Sequence, residues 1–184
     1  MVWELVVMGA ALLAALSIGA YTLRTGISPM PSGPRARRAL LAALPARVEG
    51  TVVELGAGWG TLALPLARRY PHRPVVAYEL SPLPWLVCRL RAWLAGADNL
   101  RVLRADFLHG ELSGAGLLTC YLYPEGMARL APKLAAELRP GAWVVSNSFA
   151  LPGWNARAVL PSGGLWRERI HVYVREGVAP TAEG

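Results

Sequence analysis

Ten residues, Thr51 to Gly60, read TVVELGAGWG and constrain the chain more than any other stretch. A β-branched apolar run that ends at an acid and then at alternate glycines is a buried strand entering a loop whose backbone must turn tightly. A loop of that kind, at a strand's carboxyl end, is where an open α/β sheet binds its ligands. The rest of the sequence supplies the alternation such a sheet needs. Helical patterns at 34–48, Trp59–Tyr70, Pro82–Ala95 and Glu125–Leu138 interleave with short apolar runs at Thr51–Leu55, Pro74–Glu79, Leu100–Ala105, Leu117–Tyr123 and Trp143–Phe149. Two last runs, Ala156–Leu160 and Leu165–Arg175, are joined through PSGG and read as a hairpin. The predicted fold class is therefore α/β: a Rossmann-like, doubly wound, mostly parallel sheet with an antiparallel C-terminal hairpin.

Hydropathy adds one element in front of it. Hydrophobic residues make up 54% of the 184 and charged residues only 17%, below the ~25% usual for a soluble domain. Much of the excess sits in Leu5 to Leu23, LVVMGAALLAALSIGAYTL, a run without a charge. As a helix rising ~1.5 Å per residue it spans close to the ~30 Å of a bilayer core. A secretory signal would place positive charge before a shorter apolar run, whereas Glu4 is the only early charge here. A buried core helix is the alternative, but this stretch is apolar on every face. The expectation is one transmembrane anchor over 1–25 and one domain over 26–184, separated by the Pro, Gly and Ser loop GISPMPSG. Arg24, Arg35, Arg37 and Arg38 follow the run and no Lys or Arg precedes it. The positive-inside rule then gives a single-pass protein of the cell (inner) membrane with the domain after Arg24 cytoplasmic. The net charge of +7 suits an anionic leaflet. Its arginines are scattered without interleaved aromatics, so no nucleic-acid partner is expected.

The glycine spacing selects the ligand class. A dinucleotide loop places its third glycine three positions after the second, on a helix N-terminus that takes pyrophosphate; that position is Thr61, and Gly60 comes one residue early. Glu54, at the strand end, opposes a pyrophosphate but can receive the ammonium of an amino acid. Glu54, Gly56, Ala57, Gly58 and Gly60 resemble the acidic-x-Gly-x-Gly-x-Gly motif of class I S-adenosylmethionine-dependent methyltransferases. The plainer reading is a turn whose glycines serve packing alone. Glu79 with Leu80, after the second strand, is placed to accept both ribose hydroxyls. Asp106 follows the third strand, placed to accept from an adenine amino group, with Phe107 beside it for ring contact. Either acid alone is equally well an ordinary solvated carboxylate.

Further residues carry a narrower resemblance. Tyr78-Glu79-Leu80-Ser81-Pro82 through Trp85, Arg91, Ala92, Trp93 and Gly96, and later Phe149-Ala150-Leu151-Pro152-Gly153-Trp154, are similar to the lysine methyltransferases of the mitochondrial ATP synthase c subunit and adenine nucleotide carrier and their prokaryotic relatives. Those relatives carry an N-terminal membrane segment and a proline matching Pro124. Ser81, Pro84 and Trp59 depart from the family's usual residues. The resemblance implies S-adenosyl-L-methionine as cofactor and a lysine of a membrane-associated protein as substrate. Tyr121, Tyr123 and Pro124 are the candidates to line the lysine's approach, with Tyr121 also a cofactor-binding candidate, since aromatic rings hold a cationic amine; alternate tyrosines also simply pack a strand. Asn147 and Trp154 are weaker candidates. A membrane-lipid or quinone methyltransferase, and a catalytically silent cofactor-binding membrane protein, stay open as alternatives. His72, His109, His171, Cys88 and Cys120 have no metal-ligand spacing, so no metal is expected and both thiols read as core.

Overall fold

The computed structural model describes residues 3–4, 7–9, 33–164 and 168–177 of the chain. Five strands run parallel: β1 (Thr51–Leu55), β2 (Val75–Tyr78), β3 (Leu100–Leu103), β4 (Ala115–Cys120) and β5 (Trp143–Asn147). The hairpin of β6 (Ala158–Pro161) and β7 (Arg169–Val174) adds antiparallel, with β7 against β5, in the order β3-β2-β1-β4-β5-β7-β6. The predicted mostly parallel sheet with an antiparallel hairpin is therefore present. Most of the predicted apolar run Leu5–Leu23 lies outside the described residues. Among those residues no helix is long and apolar enough to cross a membrane.

Both faces of the sheet are apolar, and alternate residues of each strand serve opposite clusters. Val52, Val75, Ala77, Leu117 and Val145 face helices α1 (Pro34–Ala43), α2 (Ala63–Arg69) and α3 (Pro82–Leu94) through Leu40, Leu66 and Cys88. Val53, Leu55, Tyr78, Leu118 and Val144 face helix α4 (Pro124–Glu137) through Met127, Leu130 and Leu134. Prolines set three of the helix starts. Pro34, Pro82 and Pro124 occupy the first helical turn, where a missing N–H costs nothing. Pro65 likewise explains why α2 begins at Ala63 and not at the predicted Trp59. In a helix starting at 59 it would interrupt the ladder; starting at 63, it falls in the first turn.

The strands also end earlier than predicted. β4 stops at Cys120, three residues before Tyr123, because its neighbour β1 ends at the paired Leu55 and turns away into the glycine loop. β5 stops at Asn147, where Ser148 takes a positive φ of 70° that no strand accommodates. β3 ends at Leu103 and β7 begins at Arg169, each shorter than the apolar run that contains it, and β6 is displaced to Ala158–Pro161, one residue past its predicted end. Crossing from β3 to β4, residues 104–114 form neither helix nor strand.

Gly116 marks the closest backbone approach in the sheet. A Cβ there would sit 1.5 Å from the carbonyl oxygen of Glu49 and 3.0 Å from Val48 Cγ1, so the chain entering β1 lies directly on β4. Gly116→Ala must therefore push backbone apart. We expect a loss of about 3 kcal/mol or more, the upper end of overpacking costs, measured as a drop in urea midpoint at unchanged m.

Candidate active site

Strand register builds the site. Leu55, Tyr78, Leu103, Cys120 and Ser146 lie side by side across five parallel strands. The residues just beyond them, on Gly56, Glu79, Arg104, Tyr121 and Asn147, thus share one carboxyl edge. Strand order reverses between β1 and β4, and that is the crevice where open α/β sheets take their ligands. The glycine loop and Tyr121 stand on its two sides.

The loop is held open by its own backbone and by one carboxylate. Gly56, Gly58 and Gly60 have φ of 78°, 53° and 75°, a region closed to most side chains. The N–H groups of Gly56 and Ala57 both donate to Tyr78 O at 2.9 Å, and that of Gly60 donates to Ala57 O at 2.9 Å. Glu79 completes the latch: Oε2 accepts from Gly58 N and Oε1 from Ser81 N, each at 2.7 Å. A Cβ at Gly58 would meet no atom within 4 Å, so the loop faces open space there. At Gly60 the reverse holds, since a Cβ would lie 2.7 Å from Cys88 Sγ on α3. This is why the third glycine comes one residue early: it seats the loop on that thiol. Cys88 is buried, with burial the main cause pushing its thiol up to about 12, so it packs and does not react. Cys120 is likewise buried, and both are the core thiols predicted.

Glu54 is the electrostatic oddity. It is buried at the end of β1, and its Oε2 has no hydrogen-bond partner. Burial first, and the charge of Glu79 second, push its carboxyl up to about 8. A buried acceptor without a donor costs about 1–3 kcal/mol. It is a socket that a cationic ligand group would satisfy, and S-adenosylmethionine carries an ammonium.

The other predicted residues fall around this edge with different surroundings. Glu79 is buried, and each of its oxygens keeps a lone pair beyond its loop N–H with which to accept a ribose hydroxyl. Leu80 is partly exposed beside it. Asp106 Oδ1 accepts from Leu108 N at 2.9 Å, and Oδ2 lies 3.7 Å from His109 Nδ1, so the acid also braces its own turn. Phe107 is buried within the cluster that contains Tyr78 and Leu112. Pro124 is the first residue of α4 and Tyr123 precedes it. Asn147 is fully buried, and Trp154 stands edge-on to Tyr173 at 6.2 Å, under the guanidinium of Arg175.

Sequence reasoning missed what unites the tyrosines. Phe149 lies with its ring stacked on Tyr121 at 6.4 Å and tilted against Tyr123 at 5.7 Å, so three rings gather past the ends of β4 and β5. A tight turn fixes it: Ser146 Oγ donates to Phe149 O at 2.7 Å, Phe149 N donates to Asn147 O at 2.9 Å, and Ser148 carries the positive φ. Burial is the main cause that raises the Tyr121 phenol and outweighs the opposing Ser148 side-chain hydrogen bond, so it stays neutral at physiological pH.

Comparison with known proteins agrees with this geometry. The ANTKMT methyltransferase domain family matches residues 54–158, from Glu54 into β6. The chain is 38% identical to the adenine nucleotide translocase lysine N-methyltransferase of Mus musculus over 72% of this chain and 56% of that protein. It is 26% identical to a protein-lysine N-methyltransferase of Saccharolobus islandicus (strain REY15A), over 79% of this chain and 91% of that one. Among solved structures, an RNA methyltransferase from Salinibacter ruber in complex with S-adenosyl-L-homocysteine superposes with a TM-score of 0.69 at 24% identity, covering 83% of this chain and 97% of that one. That likeness speaks to the fold alone. The chain spans little more than half the length of the mouse relative.

Proposed function

This chain belongs to the ANTKMT methyltransferase domain family, and from that premise we propose that it is an S-adenosylmethionine-dependent protein-lysine N-methyltransferase, anchored by Leu5–Leu23 and acting on a membrane-associated protein. The lysine reading is supported by two relatives that both bear lysine N-methyltransferase names. The observation that carries it is the pairing, on either side of the switch point, of a buried carboxylate with an unpartnered oxygen and a platform of three aromatic rings. In this reading Glu54 receives the ammonium of the cofactor, Glu79 its ribose hydroxyls and Asp106 its adenine amino group. The glycine backbone leaves the room for close approach. When bound, S-adenosylmethionine supplies a methyl group already activated by the sulfonium.

The chain's own task is then to align an amine and favour its neutral form, the ammonium proton leaving to solvent before the rings close around it. At a free pKa of ~10.4, only on the order of one lysine in a thousand is neutral near pH 7, a deficit of about 4 kcal/mol. Tyr121, Tyr123 and Phe149 exclude water from the amine and favour its neutral form by desolvation, while their faces hold the cation on arrival. Alignment then supplies much of the rate. A linker of about ten residues reaches at most ~35 Å, so the target lysine lies close to the cytoplasmic face of the membrane.

Purified full-length protein incubated with methyl-labelled S-adenosylmethionine and membranes from cells lacking its gene tests this reading. Label should stay with a protein band on a gel, including after organic extraction of any apolar proteolipid. Label found wholly in phospholipid or quinone would instead establish the lipid-directed alternative.

A further inference from the structure

We propose that the outward face of α3 lies on an anionic lipid surface and sets the cofactor site against the membrane. The helix buries Pro84, Cys88 and Ala92 against the sheet. At 100° per residue the opposite face carries Leu86, Leu90, Trp93 and Leu94, which are 54%, 50%, 76% and 69% exposed. Four large apolar side chains on one solvent-facing stripe are more than scattered surface residues. Two cations frame them. Arg89 and Arg91 project on either side of the stripe, and no acid occurs between Pro82 and Leu94. Arg89 lies over the Trp85 ring at 5.5 Å, and Arg91 Nη1 donates to Trp59 O at 2.6 Å, which leaves each guanidinium further N–H donors.

An apolar stripe with indole at its end and arginine on both flanks is the pattern of a helix lying in a headgroup layer, where the arginines meet lipid phosphates. A protein groove would need matching acids on the partner for each flank, whereas an anionic leaflet offers negative charge along the whole helix. The helix begins directly after Glu79, Leu80 and Ser81, so a docked α3 brings the carboxyl edge of β2 to the lipid surface. Lysines presented at the headgroup layer would then be preferred over lysines of free soluble proteins.

The inference shares only its membrane with the proposed function, and the two fail separately. Full-length Leu90→Cys, labelled with a polarity-sensitive fluorophore and reconstituted into phosphatidylglycerol-containing vesicles, reads the face directly; Cys88 and Cys120 are buried and stay unlabelled. Ala136→Cys on α4, on the other side of the sheet, is the control. Position 90 should shift to the blue and be quenched by doxyl-labelled lipid, should lose both effects in phosphatidylcholine alone, and position 136 should show neither. An unshifted label at position 90 in anionic vesicles overturns the proposal. So does a blue shift that follows protein concentration and ignores doxyl lipid, which would assign the face to a second copy. Flotation of the unlabelled chain with phosphatidylcholine vesicles, where α3 should not dock, reports the anchor independently, and methyl transfer enters neither readout.

Discussion

Glu54→Gln is expected to bind S-adenosylmethionine about a hundredfold more weakly than the wild type at pH 8, with the difference shrinking to almost nothing at pH 6. Losing one partner of a buried charged pair costs about 2–5 kcal/mol, and about 3 kcal/mol is a hundredfold. The pH dependence follows from the carboxyl being held up to about 8 before anything binds. Below that pH the acid must give up its proton to meet the ammonium, so wild-type affinity falls as much as tenfold per unit of acidification. Glutamine has no proton to lose. Calorimetry in two buffers of different ionisation enthalpy should therefore find close to one proton released per cofactor at pH 7 by the wild type and about one fewer by the variant. The same group acts on stability with a defined sign. Its folded pKa lies above the ordinary 4.5, so its contribution is whole below pH 4.5 and is lost as pH rises through about 8. The loss is on the order of 5 kcal/mol, and denaturant titrations of the ligand-free variant should lack it. Equal pH slopes for the two proteins would contradict the assignment.

Glu79→Gln should be nearly as damaging, through a different route. The carboxylate accepts from Gly58 N and Ser81 N, each at 2.7 Å, and an amide can accept from only one of them. Its NH2 would face the other N–H, leaving two donors opposed, which costs about 1.5–3 kcal/mol for a bond to a charged acceptor. The bidentate site proposed for the ribose hydroxyls would go with it. A loss of roughly a hundredfold to a thousandfold in cofactor affinity is expected from the two effects together. Removing the charge also releases Glu54, whose carboxyl Glu79 helps to hold up. The pH midpoint for cofactor binding should consequently move down in Glu79→Gln, an effect that loop damage alone does not produce. An unmoved midpoint would show that the two carboxylates do not interact.

What the sequence disclosed and what it hid divide along a physical line. Glycines at 56, 58 and 60 and acids at 54, 79 and 106 are legible because residue type alone limits what a strand end can do. The mostly parallel sheet and its antiparallel hairpin follow from the alternation of elements, whereas the strand order does not. Element ends are less legible, since periodicity reports which face a residue occupies and not where its neighbour stops pairing: β4 ends with β1, and β5 ends at Ser148. The aromatic platform was half visible. Tyr121 and Tyr123 announce themselves by alternation, but Phe149 joins them only because a serine adopts φ 70° one residue earlier, and serine carries no such signal. The latch from Glu79 to the glycine loop spans 21 residues and depends on the register of β1 with β2, which no local pattern encodes.

The most direct test of the whole account is mass spectrometry of membrane proteins from cells lacking the gene, complemented with the wild type or with Glu54→Gln. We predict a protein-lysine carrying one to three added methyl groups with the wild type, and that same lysine unmodified with the variant. Identical lysine methylation in both, or a wild-type-dependent methyl found only on lipid or RNA, would contradict it.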